Sequence, residues 1–209
     1  MTATLTDPAA DLFARQGYAI AHGLVAPARV ALVRQHLERR AAQGTMSQKD
    51  EQVPATPAVY GDSAVDGLMQ DLVPAIEART GLKLFPTYSY ARIYKRGDAL
   101  APHRDRTACE ISISLNLGQV PDDPWALHVS DFAALLMPGD ALVYRGCDHT
   151  HWREPYEGTR VVQAFMHYVD QNGPHAGEKF DGRPSLGNAF QPEVTGRLRP
   201  FTLLPLVPR

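Results

Sequence analysis

Apolar residues recur at helical spacing through the first part of the chain and at alternating spacing through its middle. Asp7-Pro8 opens a short helical segment with Leu12 and Phe13 as its apolar face, and Gly17 ends it. Tyr18 to Leu24 reads as a brief strand. A longer helix is predicted from Pro27, whose missing N–H costs nothing in a first turn. Val30, Val33 and Leu37 form its apolar stripe, Arg34, Glu38 and Arg39 its wet side, and Gly44 closes it. Residues 45–60 follow no period and hold Pro54 and Pro57, which predicts a surface loop near a site. Ala64 to Thr80 is helical again, with Leu68, Leu72, Val73 and Ile76 apolar and Gly81 as terminator. Pro74 inside it predicts a kink or a division.

From Leu82 to Val169 β-branched and aromatic residues dominate. The clearest runs are Leu84–Lys95, Glu110–Leu117, Ala126–Val129, Ala141–Tyr144 and Arg160–Val169. Ile111, Ile113 and Leu115 alternate with Ser112, Ser114 and Asn116, the period of a strand with one polar face. Arg96-Gly97-Asp98 and Pro138-Gly139-Asp140 read as tight turns. Short strands joined in this way predict a mainly β fold behind N-terminal helices, a sandwich or closed jelly roll. The tail from Asp170 carries Pro174, Pro184, Pro192, Pro200, Pro205 and Pro208, which leaves no room for a long helix or central strand. The expected organisation is one domain over residues 1–209. Residues 1–81 give helical support, 82–169 the β core, and 170–209 a wrapping tail.

Composition narrows the function classes. A chain of 209 residues buries a full core without disulfides. Its net charge of -2, with both signs mixed along the chain, argues against a nucleic-acid surface. Cys109 and Cys147 follow no disulfide or zinc spacing and read as reduced thiols. The start lacks the basic and apolar regions of a signal peptide, and no apolar run is long enough for a bilayer. The expectation is a cytoplasmic protein with neither a membrane nor a nucleic-acid partner.

Three features carry candidate chemistry. In an extended stretch, His103 and Asp105 of His103-Arg104-Asp105 point to one side and Arg104 to the other. One more imidazole from His149-Thr150-His151 completes two histidines and a carboxylate, a facial set that suits Fe(II) and leaves positions open. Periodicity does not choose between His149 and His151. Arg160, nine residues after His151 and eleven after His149, follows a Glu157-Gly158 turn that brings it back toward the metal. There its guanidinium can fork onto a carboxylate, with Ala164 on the same face leaving space. The plain alternative is an exposed arginine at a strand end, paired locally.

Together, His103-Arg104-Asp105, His151 and Arg160 resemble the pattern of the Fe(II)/2-oxoglutarate-dependent dioxygenases, in particular their prolyl-hydroxylase-like branch. The resemblance spans Leu82 to Val169 and implies a double-stranded β-helix, the jelly roll shared with cupins. Trp152-Arg153-Glu154-Pro155 resembles the segment after the family's distal ligand, which favours His151 and leaves His149 to line the substrate pocket. By the same resemblance, Arg160 and Tyr94 hold the far carboxylate of 2-oxoglutarate, and Ser112, Ser114 and Asn116 reach toward it. Arg104, Arg106, Trp152 and Arg153 are candidates for substrate contact only.

The implied activity is hydroxylation of an unactivated C–H bond, with ascorbate as a supporting reductant. Asp105 fills the position that related halogenases leave to halide. The short chain, with no added peptide-binding module, favours a small metabolite or amino-acid derivative as substrate. Prolyl or other side-chain hydroxylation on a peptide or protein is the second reading. A cupin-like metalloenzyme without 2-oxoglutarate and a non-catalytic jelly-roll binding protein are the others.

Overall fold

A computed structural model of the chain describes residues 8–187. The helical spacing produces α1 (Pro8–Gln16), α2 (Pro27–Ala42) and α3 (Ser63–Thr80). Only Phe13 of the α1 pair enters the core, while Leu12 is exposed. Val30, Val33 and Leu37 of α2 are buried as the stripe requires. Asp62 caps α3 by accepting from the Ala64 and Val65 N–H groups at 2.9 and 3.3 Å. Gly81 ends α3 at φ +73°, a left-handed turn that glycine adopts without strain. Pro74 does not divide α3, which runs through it as one element.

Ten strands follow the helices or fall between them: β1 (Tyr18–Ala21), β2 (Ala58–Tyr60), β3 (Leu84–Lys95), β4 (Leu100–His103), β5 (Ile111–Val120), β6 (Leu127–Val129), β7 (Phe132–Ala134), β8 (Ala141–Tyr144), β9 (His151–Arg153) and β10 (Arg160–Asp170). Every ladder among them is antiparallel. One sheet has the order β1-β8-β5-β10-β3-β2 and the other β4-β9-β6-β7. Leu127, Val129 and Ala134 of the smaller sheet pack against Leu142 and Tyr144 of the larger. The architecture is the jelly roll of a double-stranded β-helix. Among the described residues no ladder joins the two sheets, so they do not form a closed roll.

The polar face of β5 is not a wet face. Ile111, Ile113, Leu115 and Leu117 join Val162, Ala164, Met166 and Tyr168 of β10 in a core with α2 and α3. Ser112, Ser114 and Asn116 point the other way, yet they too are buried. With Gln163, Phe165 and His167 of β10 they line the space between the sheets. Both faces of these central strands are therefore covered, one by helices and one by the opposite sheet.

After β10 the chain folds back as a short 3-10 segment, Ala176–Gly182, against β3 and β10. Phe180 and Asp181 there take φ +56°, a strained value for side chains of their kind. The Arg106 fork holds Asp181 through two bonds of 2.7 and 2.8 Å, and the Tyr60 hydroxyl donates to the same carboxylate. Of the expected tail, Pro192, Pro200, Pro205 and Pro208 lie outside the described residues. Among those described, no helix is long and apolar enough to cross a membrane.

Candidate metal centre

β4 ends on His103 and β9 begins on His151, and the two residues face each other across the ladder. Their rings lie 4.2 Å apart between centroids. Asp105 falls just past β4, where its N–H donates to the Gly146 carbonyl at 2.9 Å. One ligand atom from each of His103, Asp105 and His151 lies within 4.8 Å of the others. Asp105 Oδ1 is 3.7 Å from His103 Nε2 and 3.5 Å from His151 Nε2.

The tautomers fit a cation. His103 Nδ1 bonds the Ala101 carbonyl at 2.9 Å, and His151 Nδ1 bonds the His149 carbonyl at 3.0 Å. A carbonyl only accepts, so each Nδ1 carries its proton, and Nε2, on the Asp105 side, is the nitrogen each ring can offer to a metal. Two buried imidazoles and one carboxylate whose side chain is 6% exposed form a donor set that suits Fe(II) and leaves other coordination positions free.

The titration behaviour follows from this crowding. Burial works to raise the Asp105 carboxyl, but the His151 charge and hydrogen bond outweigh it and hold the group below the carboxylate range. Burial works to lower His151, and the Asp105 carboxylate reverses this, leaving the ring raised. His103 is pushed down to about 4 by burial and then by the charge on His151.

Supporting groups fix the carboxylate. Ser112 Oγ donates to Asp105 Oδ2 at 2.8 Å and lies 2.9 Å from His167 Nδ1. Gly146 leaves the room: a Cβ there would collide with Asp105 Oδ2 and lie 2.6 Å from the Cys109 carbonyl and 2.7 Å from Ser112 Oγ. Asp105, Cys109 and His167 form a second convergent trio. Cys109 is unsuited to it, because burial pushes the thiol pKa well up and its sulfur lies 3.0 Å from the Tyr88 hydroxyl.

His149 lies outside the cluster. Its ring packs over Gly17, edge-on to Tyr18, with Nδ1 3.0 Å from Ser130 Oγ. Tyr94 is fully buried between the sheets, where its hydroxyl accepts from Arg92 Nη1 at 2.7 Å. Ser114 is buried and accepts from Gln163 Nε2 at 2.9 Å.

Arg160 does not come beside the metal cluster. It alternates with Val162, Ala164 and Met166 on the helix-facing side of β10, so Ala164 opens no space in the interior. Its side chain is about half exposed and pairs with Glu38 of α2 at 3.0 Å. It borders an open cleft of about 370 Å³ that Pro57, Ile93, Tyr94, Lys95 and Val120 also line. The hairpin returns the chain as expected, but strand parity sends this side chain the other way.

The interior guanidiniums are instead Arg92 of β3 and Arg153 of β9. Arg92 forks onto Asp50 from the 45–57 loop at 2.6 and 2.9 Å. Arg153 is 3% exposed, and burial lowers its pKa. The sequence marks Arg153 as a substrate-contact candidate only, although its place two residues after His151 is a spacing that alternation turns inward; nothing local marks Arg92 or its partner Asp50.

No family model matches the sequence, and no curated protein matches it either. Solved structures do. The epimerase SnoN, in complex with Fe3+, alpha ketoglutarate and nogalamycin RO, aligns at TM-score 0.67 and 16% identity, covering 95% of this chain and 96% of that one. A Pseudomonas putida prolyl-4-hydroxylase aligns at TM-score 0.63 and 17% identity over 78% of this chain and 97% of its own. HygX from Streptomyces hygroscopicus, with nickel and 2-oxoglutarate bound, aligns at TM-score 0.59 and 17% identity, covering 81% and 89%. The chain has the fold of these 2-oxoglutarate-dependent oxygenases.

Proposed function

We propose that the chain is an Fe(II)- and 2-oxoglutarate-dependent oxygenase acting on an unactivated C–H bond of a small metabolite or amino-acid derivative. The observation that carries this reading is the buried meeting of His103 Nε2, His151 Nε2 and Asp105 Oδ1, with both Nδ1 protons already committed. Iron held there supplies O₂-dependent decarboxylation of 2-oxoglutarate to succinate and CO₂, one oxygen atom going to succinate and the other to the substrate.

The chain's own residues hold and shield the centre. His103 and His151 offer neutral nitrogens, and Asp105 offers one oxygen while Ser112 restrains the other. Tyr144, buried and edge-on to the His151 ring at 4.9 Å between centroids, shields the centre from water. Tyr94 and Ser114 lie on the inward faces, within the region that would receive the 2-oxo acid.

Anaerobic addition of Fe(II) and then 2-oxoglutarate tests the reading through the visible charge-transfer band of the chelate. A panel of metabolites, amino-acid derivatives and proline-containing peptides, read as coupled succinate, then selects the substrate class. Absence of the band in metal-loaded protein overturns the assignment. A response confined to the peptides moves the substrate to protein side chains.

A further inference from the structure

We infer that Arg153, on β9, receives the second carboxylate of the 2-oxo acid, in place of a basic residue at the start of β10. This rests on the oxygenase reading above and assigns the residue that selects the cosubstrate.

Charge balance comes first. Of the two interior guanidiniums, Arg92 is already matched by the buried Asp50 carboxylate. Arg153 has no carboxylate partner among the described residues. Its one hydrogen bond there runs from Nη1 to the Trp125 carbonyl at 2.7 Å, and its Nε has no partner. An unpaired cation in a covered interior is costly to keep. A divalent iron beside Asp105 leaves one further positive charge at the metal. Two positive charges, one at the metal and one at Arg153, complement an acid with a carboxylate at each end.

Placement agrees. Arg153 stands on the same strand face as His151 and roughly 6.6 Å further along the strand. Arg160, by contrast, lies on the opposite face of its strand and is occupied by Glu38. The inward positions at that end of β10 are Val161 and Gln163, both uncharged, and Gln163 Nε2 is committed to Ser114. The Arg153 guanidinium is also held in place. It lies 4.6 Å over the Trp125 ring, which meets Tyr94 and Tyr156 at 5.0 Å each. A guanidinium with a fixed plane and a free edge suits a carboxylate fork.

The test uses full-length protein loaded anaerobically with Fe(II) and titrated with two acids. 2-Oxoglutarate has both ends, whereas 2-oxobutyrate keeps the chelating end and lacks the second carboxylate. Arg153→Met is expected to weaken 2-oxoglutarate about 100-fold while leaving 2-oxobutyrate and Fe(II) binding unchanged. The ligand-free variant should melt no lower than the parent, since an unpaired buried charge has been removed. Arg153→Lys keeps the charge without the fork and should cost 2-oxoglutarate about tenfold, which preserves the test should the methionine variant fold poorly. Arg160→Ala should bind both acids as the parent does.

Unchanged 2-oxoglutarate affinity in the Arg153 variants, equal loss of both acids, or loss in Arg160→Ala would overturn the assignment and leave the oxygenase reading standing. A metal-loaded parent that binds neither acid overturns the oxygenase reading itself.

Discussion

Asp105 sits in a space that its neighbours define to within one methyl group. Its backbone is tied to Gly146, and its outer oxygen to Ser112. Gly146→Ala would drive a Cβ into that oxygen and against the Cys109 carbonyl, so Fe(II) affinity is expected to fall about 10- to 100-fold together with a loss of stability. Metal titration alongside circular dichroism checks both halves of that outcome. Ser112→Ala removes a hydrogen bond without adding bulk and should cost nearer tenfold. The same assay separates the two distal histidines. His151→Ala should abolish tight binding, whereas His149→Ala should leave it intact, since that ring packs over Gly17. Retained binding in His151→Ala would return the ligand role to His149.

Among the elements, α3 depends on one carboxylate. Asp62 caps its first turn and accepts from His36 and Arg40 at 2.9 and 2.6 Å. Asp62→Ala removes the cap and strands two donors, and should cost about 2–3 kcal/mol in urea unfolding. The pH dependence has a definite sign. Burial works to raise the Asp62 carboxyl, but hydrogen bonds from His36, Arg40 and Ala64 leave it below its ordinary value. Its contribution is therefore complete above the unfolded carboxylate pKa and is lost as pH falls through the lower folded value. Asp62→Asn keeps the cap oxygen, so its deficit should be largest near neutral pH and shrink toward acid.

Long elements were legible in the sequence because their period persists: α2, α3, β3 and β10 follow the spacing of their apolar residues. β4, β7 and β9 are only three or four residues long, too short for alternation to stand out, and two of them carry the histidines. Local spacing thus brought out His103 and Asp105, with His149 and His151 as rivals that only the family resemblance separated, and it did not show their strands. It misplaced Arg160, because a count of nine residues fixes reach along the chain and not which face of a strand the side chain takes. Asp50 and Arg92 meet across 42 positions, a pairing that no local pattern encodes.

At the scale of the molecule, the proposed metal ligands lie at strands of the smaller sheet, while Ser112 and His167, which support Asp105, belong to the larger. A bound ion would therefore link the two sheets that no ladder joins, and occupancy should register as global stability. Fe(II) at about a hundred times its dissociation constant should add about 2.7 kcal/mol, a rise in melting temperature of roughly 5–10 °C. Anaerobic calorimetry with and without a chelator checks this, and the rise should vanish in His151→Ala.

The double-sided burial of β5 and β10 has a use for protein engineers. Helix-facing positions such as Ile113, Leu115 and Met166 form one design space, in which truncation to alanine costs about 2–5 kcal/mol. Ser114, Gln163 and Phe165, on the reverse of the same strands, form another that faces the opposite sheet and not the helical scaffold. A combinatorial library confined to the second set would vary the face between the sheets while keeping the parent's helix-facing core.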